Sequence, residues 1–249
     1  MDETKHSSAI ILNRSPYRES DSLVTVYTKD FGKLVLVARG TKKIKSKLAG
    51  HLEPISLADI LIIKGKGFDY VGSALTQNAF LNLKDDLNKL YYVGRAFSWF
   101  NRLVREGESD ERLFFLLERW LEMVDQYLPE EFTKDNGELF FIFLALKLMA
   151  ELGYKPEMYE CLSCRRKIEP GKNYFNLKNG GIVCGLCLEK ERQQQGIEAA
   201  ELLTISDNCI KLMRFIMDNK LDTAKKLKLD KRIIKELSVL TQNFLNFHC

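Results

Sequence analysis

The chain has 249 residues, a net charge of +4 at pH 7, and 45% hydrophobic and 29% charged residues. This composition is ordinary for a soluble globular protein, and its mild basicity permits a nucleic-acid partner without requiring one. The longest apolar run, Leu139–Leu146, is far shorter than the roughly 20 residues that span a bilayer. Met1–Ser8 is polar and Ala9–Leu12 is too short for a signal-peptide core, so we expect a cytoplasmic protein. Thiols stay reduced there, so the six cysteines indicate metal binding or chance occurrence rather than disulfides.

Five short strands are predicted within the first eighty residues, where good strand formers are separated by turn signals. The strands are Ser8–Asn13, Leu23–Thr28, Lys33–Ala38, Ser56–Ile63 and Phe68–Thr76. Five strands with one long connection between the third and the fourth fit a small Greek-key barrel of the OB type. An SH3-like barrel is the competing arrangement, and periodicity alone does not separate the two.

The long connection after the third strand is strongly basic. Five cations fall within nine residues, and no acidic residue lies between Gly32 and Glu53. The cations are Arg39, Lys42, Lys43, Lys45 and Lys47. Contacts from Lys and Arg to phosphates supply sequence-independent affinity for nucleic acid, so this segment is a candidate DNA-binding loop. A solvated lysine loop is the alternative. Tyr27, Phe31 and Phe68 are candidate stacking platforms for bases, although core positions are the favoured interpretation for Tyr27 and Phe68.

From about Leu83 the hydrophobic residues recur at every third or fourth position, which predicts helices. The first helical stripe contains Leu83, Leu87, Leu90, Tyr91, Gly94 and Phe97. Ser109 or Asp110 is suited to cap the second helix. Later helices are predicted over Glu138–Leu152 with Gly153 as its end, from the capping residue Ser206 onward, and over Asp230–Phe247.

The segment Tyr159–Leu188 contains two C-x-x-C pairs separated by nineteen residues. The four cysteines are Cys161, Cys164, Cys184 and Cys187. Two intervening residues let one tight turn direct both thiolates at one ion, and a second pair completes a tetrahedron of sulfur that suits Zn²⁺. A hairpin is predicted between the pairs, over Asn173–Gly180, and Gly185 relieves the backbone of the second turn.

A structural zinc is the favoured interpretation of these cysteines, and four unrelated thiols or an iron–sulfur cluster are the alternatives. A catalytic zinc is disfavoured because four protein ligands leave no position for water and no H-x-E motif accompanies the pairs. Cys209 and Cys249 are interpreted as cysteines without a metal, and the three histidines are scattered.

Two further charged stretches differ in the sign of their charge. Lys220–Lys235 is basic, and a solvated helical face is its favoured interpretation. A second nucleic-acid contact or a site for an acidic protein tail is the alternative. Glu106–Glu138 is acidic and would repel DNA, so we expect any DNA-binding surface to lie toward the barrel.

Several of these segments resemble the RecO family of recombination and repair mediators. The likeness is specific in Glu19–Thr28, in Phe31–Leu34, in the basic segment Ala38–Leu48 and at the four cysteines. The family pattern there is an acidic residue before a strand, a glycine turn, and a glycine followed by a basic run. The order of a barrel, a helical domain and an inserted four-cysteine module also matches.

The resemblance implies a protein that binds single- and double-stranded DNA and anneals complementary strands. It further implies partners: RecR, the acidic C-terminal tail of the single-strand DNA-binding protein, and a functional link to RecA, which the family helps to load on coated DNA. It places DNA binding on the basic loop that contains Arg39 and Lys42. A protein with this role would associate with the nucleoid.

The predicted fold class is therefore α+β. An OB-type barrel (residues 1–80) precedes a helical domain in two parts (81–158 and 191–249), into which a zinc module (159–190) is inserted. The leading hypothesis is a mediator without a catalytic site. A zinc enzyme acting on nucleic acid is a second hypothesis, which needs a general base and an open ligand position. A zinc-stabilised protein-interaction adaptor without direct DNA binding is the third.

Overall fold

Five strands close into a barrel at the start of the chain. The computed structural model describes residues 4–194 and 201–248. The strands are β1 (Thr4–Pro16), β2 (Ser22–Thr28), β3 (Gly32–Ala38), β4 (Ser56–Ile63) and β5 (Tyr70–Asn78). Their order around the barrel is β1-β2-β3-β5-β4, with β1 pairing with both β2 and β4. The only parallel pairing among these strands joins Val37 to Tyr70. This is the OB arrangement, so the predicted OB-type barrel is confirmed.

The barrel interior is filled by small and branched apolar side chains. Val24 and Val26 of β2 point inward and are fully buried, together with Ile11 of β1 and Ile60 of β4. A bulge between Ile11 and Asn13 lets the long strand β1 bend, so that it pairs with both β2 and β4. Because both sheet partners of β1 come from the same barrel, no edge is left open along it.

The β2–β3 turn depends on a glycine. Gly32 has a φ of +69°, which a side chain disfavours, and an added Cβ would lie 2.2 Å from the carbonyl oxygen of Glu108. The segment that contains Gly107 and Glu108 therefore lies against this turn. The Gly107 N–H donates to the Lys33 carbonyl over 3.0 Å, which fixes the approach.

Three helices follow the barrel: α1 (Leu81–Lys84), α2 (Leu87–Leu103) and α3 (Glu111–Asp125). Asp110 caps α3 by accepting from the Arg112 N–H. The predicted stripe of α2 is partly wrong, because Leu87 and Tyr91 are 85% and 60% exposed. The stripe is displaced toward Lys89, which is fully buried and donates its ammonium to the carbonyls of Asn82 and Tyr127. Burial lowers the pKa of Lys89.

Tyr27 lies on the outer face of β2, where α2 covers it. Its ring is fully buried, 4.8 Å from the ring of Phe100, and its hydroxyl donates to the Asp110 carbonyl over 3.2 Å. Tyr27 is therefore unavailable to stack on a base, and the core interpretation of this residue is the correct one.

The burial of Tyr27 predicts a loss of stability at high pH. Burial raises the pKa of Tyr27 to about 12, from about 10 in an unfolded chain. Between these values the unfolded chain releases the proton and the folded chain keeps it, so the free energy of unfolding falls as pH rises from 10 toward 12. The Tyr27→Phe variant should lack this part of the pH-dependent decrease. Its free energy of unfolding at neutral pH should be lower by about 1 kcal/mol, because the hydrogen bond to the Asp110 carbonyl is removed.

Urea unfolding followed by circular dichroism at pH 7 to 11.5 measures both effects. Tyr91→Phe is the control, since it removes a hydroxyl from an exposed ring. Parallel pH profiles for Tyr27→Phe and the unchanged protein would contradict the expectation.

The chain divides into two compact units, residues 1–131 and 132–249. The second unit contains the helices α4 (Lys134–Glu151), α5 (Gly185–Gln194), α6 (Asp207–Asp218) and α7 (Lys231–Phe247) and the strands β6 (Asn173–Asn176), β7 (Gly181–Cys184) and β8 (Leu202–Ile205). Helix α4 is apolar almost all round and packs against α6 and α7, as predicted for a buried helix. Ser206 and Asp230 cap α6 and α7.

The fold class is the predicted α+β one, with strands at the beginning of the chain followed mainly by helices. The four-part division of the chain at residues 80, 158 and 190 remains a prediction. Among the helices of residues 4–194 and 201–248, none combines the length and the apolar character needed to cross a membrane.

Candidate nucleic-acid interface and metal centre

The basic loop, residues 39–47, leaves the end of β3 and is anchored at its base. The Gly40 N–H donates to the Asp21 carboxylate over 2.9 Å, and the Thr41 side chain is buried, 2.8 Å from the Ser22 hydroxyl. The hydrogen bond from Gly40 is the main reason that the pKa of Asp21 is lowered. Because of these contacts, the first three residues of the loop hold a fixed position on the barrel.

Beyond its base, the loop forms two successive turns. The Lys43 N–H donates to the Gly40 carbonyl over 3.1 Å, and the Ser46 N–H donates to the Lys43 carbonyl over 2.9 Å. All five cations predicted to contact DNA are exposed here: Arg39, Lys42, Lys43, Lys45 and Lys47. Ile44 stands among them with its side chain fully in solvent. The loop therefore presents a dense positive charge that no carboxylate of the loop itself neutralises.

Two shorter turns lie beside this loop at the same end of the barrel. The β1–β2 turn, residues 17–21, contacts it through Lys42, whose ammonium donates to the Arg18 carbonyl over 2.6 Å. The β4–β5 turn, residues 64–69, carries Phe68, which is 44% exposed. Phe31 differs from Phe68, because it is partly buried and packs against the barrel core. Of the three aromatic candidates, only Phe68 is well exposed to solvent, so the favoured interpretation of Phe68 as a core residue is wrong.

The four cysteines of the C-x-x-C pairs come together in the second unit. Their sulfur atoms all lie within 4.8 Å of one another. Four sulfurs around one zinc at about 2.3 Å would be about 3.8 Å apart, so the cluster needs only a small contraction to bind the ion. Cys161 and Cys187 are buried, and Cys164 and Cys184 are half-buried. The arrangement fits a four-coordinate metal ion enclosed by the protein.

Local backbone geometry builds each half of this cluster. In the first half, Cys161 accepts the Arg165 N–H at its carbonyl over 2.9 Å, and Arg165 takes a positive φ of 58° to close the turn. In the second half, β7 ends at Cys184 and α5 begins at Gly185. An added Cβ on Gly185 would lie 2.8 Å from the carbonyl oxygen of Lys172, so the glycine is required for this close approach.

Hydrogen bonds prepare part of the cluster for metal binding. The Cys184 N–H lies 3.4 Å from the Cys161 sulfur, in the geometry of a donor to a thiolate. The side chain of Arg166 lowers the pKa of Cys164 to about 6. Burial raises the pKa of Cys187 to about 12, and hydrogen bonds to the neighbouring sulfurs add to this effect. A metal ion would displace the protons from any of these cysteines that remain thiols, because thiolates and not thiols are the ligands.

The predicted hairpin between the cysteine pairs is confirmed, and a third strand extends it. Strand β6 pairs with β7 on one side and with β8 on the other. The ring of Phe175 in β6 is fully buried, 5.4 Å from the ring of Phe244 in α7. The small sheet therefore packs against α7 through Phe175, and its strand β7 ends at Cys184 of the cysteine cluster.

The remaining predicted features lie apart from the cluster. Cys209 is fully buried in α6, and burial raises the pKa of its thiol to about 12. It belongs to no group of metal-ligating side chains among the residues that the structure describes. Cys249 lies outside the described residues. In the basic stretch Lys220–Lys235, most cations are exposed, and Lys231 forms an ion pair with Asp135 over 3.5 Å.

Sequence reasoning did not single out Tyr17 and Arg18, which the structure places beside the basic loop. The available signal was an aromatic residue followed by a cation immediately after the first strand. That signal is weak on its own, and it gains meaning only from the β2–β3 hairpin, in which Ser22 pairs with Ala38 and brings residues 17–21 next to residues 39–47.

Comparison with known proteins agrees with these features. Residues 1–80 match the family model "Recombination protein O N terminal", and residues 84–249 match "Recombination protein O C terminal". A "DNA repair protein RecO" from Dehalococcoides mccartyi strain 195 is 30% identical over 242 residues, covering 96% of this chain and 88% of that protein. One from Alkaliphilus metalliredigens is 27% identical over 244 residues, covering 97% and 92%. The chain therefore belongs to the RecO family of DNA repair proteins.

Proposed function

We propose that this protein is a recombination mediator that binds single- and double-stranded DNA through its barrel and anneals complementary strands. The basic loop is the observation that carries the proposal. Five exposed cations on a loop with a fixed base form a surface to which phosphates bind without regard to sequence. Residues 1–80 are accordingly proposed as the DNA-binding domain.

Annealing by such a surface needs no chemical step. Two DNA strands repel each other through their phosphates. The cationic side chains of the loop reduce that repulsion and hold both strands near one another. Pairing then nucleates between complementary segments. The proposal therefore assigns no catalytic residue, and it gives Arg39, Lys42, Lys43, Lys45 and Lys47 the role of phosphate contacts.

We also propose a structural zinc on Cys161, Cys164, Cys184 and Cys187. Four thiolates satisfy a tetrahedral zinc and leave no open position for water, which a hydrolytic zinc requires. The donor set thus argues against the hypothesis of a zinc enzyme. The zinc would hold together the small sheet β7-β6-β8, whose apolar core is slight.

The proposed partners follow from family membership. RecR, the acidic C-terminal tail of the single-strand DNA-binding protein, and RecA are the expected ones, with the mediator helping RecA to load on coated single strands. An acidic tail requires a cationic surface, and the exposed lysines of Lys220–Lys235 offer one in the second unit.

Fluorescence anisotropy with a labelled single-stranded oligonucleotide, across a range of salt, tests the proposal. We expect tight binding at low salt and a linear fall of log K with log[salt], because binding releases counterions from the DNA. Adding the complementary strand should then give faster annealing than DNA alone, measured by quenching between end labels.

Absence of binding to naked DNA at low salt would overturn the proposal. The zinc-stabilised adaptor, which reaches DNA only through partners, would then be the better account. Binding without faster annealing would retain the DNA contact and remove the annealing activity.

A further inference from the structure

Three aromatic side chains gather at the end of the barrel beside the basic loop. Tyr17 and Phe68 are 37% and 44% exposed, and their rings meet edge to face at 5.9 Å. Tyr70, two residues after Phe68, is half-buried, and the guanidinium of Arg39 lies 3.9 Å from the centre of its ring. Exposed aromatic rings on a protein surface cost free energy of hydration unless a partner covers them. This cluster is therefore a feature that requires explanation.

The two exposed rings are held in place by their turns. The Tyr17 N–H donates to the Asp21 carbonyl over 3.1 Å, which closes the β1–β2 turn. In the β4–β5 turn the Gly65 N–H donates to the Asp69 carboxylate, and the Asp69 carbonyl accepts the Val37 N–H over 2.9 Å. Phe68 thus stands on a turn that is tied to β3. A platform fixed in this way loses little conformational freedom when a flat ligand stacks on it.

Cations surround the aromatic pair. The guanidinium of Arg18 lies 5.1 Å from the centre of the Tyr17 ring, and Lys42 bonds to the Arg18 backbone. Arg39 lies on the other side, over Tyr70. Of the nearby acids, Asp21 and Asp69 accept backbone N–H groups, and Glu19 is the exposed carboxylate of the β1–β2 turn. Flat apolar faces alternating with positive charge match the bases and phosphates of a single strand.

We propose that Tyr17 and Phe68 form a base-stacking platform that binds the unpaired bases of single-stranded DNA, while Arg18, Arg39 and Lys42 contact the adjacent phosphates. This inference rests on the proposed DNA-binding function and adds a second component to it. The basic loop supplies affinity for any nucleic-acid backbone, and the platform supplies preference for strands whose bases are unstacked and accessible. Duplex DNA hides its base faces and gains nothing from the platform.

The test compares two ligands that differ only in their bases. One is an oligothymidine, and the other is an oligonucleotide of equal length made of abasic nucleotides. We expect the unchanged protein to bind oligothymidine about 10- to 100-fold more tightly, since stacking contributes about 1–3 kcal/mol per base. The variant Tyr17→Leu with Phe68→Leu keeps apolar side chains and removes both rings. It should bind oligothymidine as weakly as the abasic strand, with the same salt dependence as before.

Tyr17→Phe is the matched control, because it keeps the ring and should keep the preference for bases. A thermal unfolding curve for each variant checks that the barrel is intact, and Phe68→Leu alone provides a milder change if the double variant is unstable. Equal binding of both ligands by the unchanged protein would overturn the platform and leave the DNA-binding proposal standing. Equal weakening of both ligands in the leucine variant would also overturn it. Failure to bind either ligand at low salt would remove the proposed function itself.

Discussion

Replacing Cys161 with serine should release the proposed zinc and unfold the small sheet β7-β6-β8 beside the cysteine cluster. Cys161 is buried, and its sulfur receives the Cys184 N–H, so its loss removes a ligand and the contact that joins the two halves of the cluster. Binding of a structural zinc contributes about 10–16 kcal/mol to the folding of small zinc domains. Loss of one of the four ligands should therefore reduce the stability by several kcal/mol. The sheet β7-β6-β8 has too little apolar core to fold without that contribution.

Three measurements follow the expected change. Zinc content by mass spectrometry should fall from one ion per chain to near zero. Limited proteolysis should cut within residues 159–190. Tryptophan emission should change little, because Trp99 and Trp120 lie in the first unit. Cys209→Ala is the matched control, since it also removes a buried thiol but one that lies outside the cluster. It should keep one zinc and the original proteolysis pattern.

Other results would change the interpretation of the cluster. Iron and an absorption band in the visible range would identify an iron–sulfur cluster in place of zinc. A Cys161→Ser protein that loses zinc yet resists proteolysis would show that the sheet folds without metal. Since the barrel has its own buried core, DNA binding should survive the loss of zinc, which separates the two sites experimentally.

The cysteine cluster was the part of the site that the sequence predicted best, and the reason is physical. Each C-x-x-C pair restricts the local backbone so that its two sulfur atoms lie close together, and only the distance between the two pairs is left undetermined by the local sequence. The β6–β7 hairpin brings the two pairs together. The OB-type barrel was also predictable, because five runs of strand formers are separated by turn signals and one long connection follows the third strand. Position in the chain then indicated which loop follows β3 and therefore where the basic residues lie.

The errors arose where packing from distant residues overrides local pattern. Leu87 and Tyr91 fit a helical stripe but are exposed, because the buried face of α2 lies at other positions. One of these is Lys89, whose ammonium donates to the carbonyls of Asn82 and Tyr127. Strand β8 was missed for the same reason, since its four residues pair with β6 across the whole cysteine module. Spacing along the chain carries no information about such contacts.

The combined variant Lys42→Glu, Lys43→Glu and Lys45→Glu should lose most of its affinity for DNA. All three side chains are exposed, so the barrel core should be unaffected, while Lys42→Glu also removes the hydrogen bond from the Lys42 ammonium to the Arg18 carbonyl. Each phosphate contact contributes about 0.7 to the salt slope for a single strand, so three lost contacts should flatten the slope by about 2. At about 0.1 M salt this corresponds to binding weakened by about a hundredfold, before the repulsion from the new carboxylates is added.

The matched control reverses three exposed lysines elsewhere: Lys220→Glu, Lys226→Glu and Lys228→Glu. Both variants change the net charge from +4 to −2, a difference of six. If the loop binds DNA directly, only the loop variant should show the flattened slope, because counterion release reports local contacts. If both variants weaken binding equally with unchanged slopes, overall charge governs the association. If only the control variant is impaired, the second basic stretch, and not the loop of the barrel, is where this protein contacts DNA.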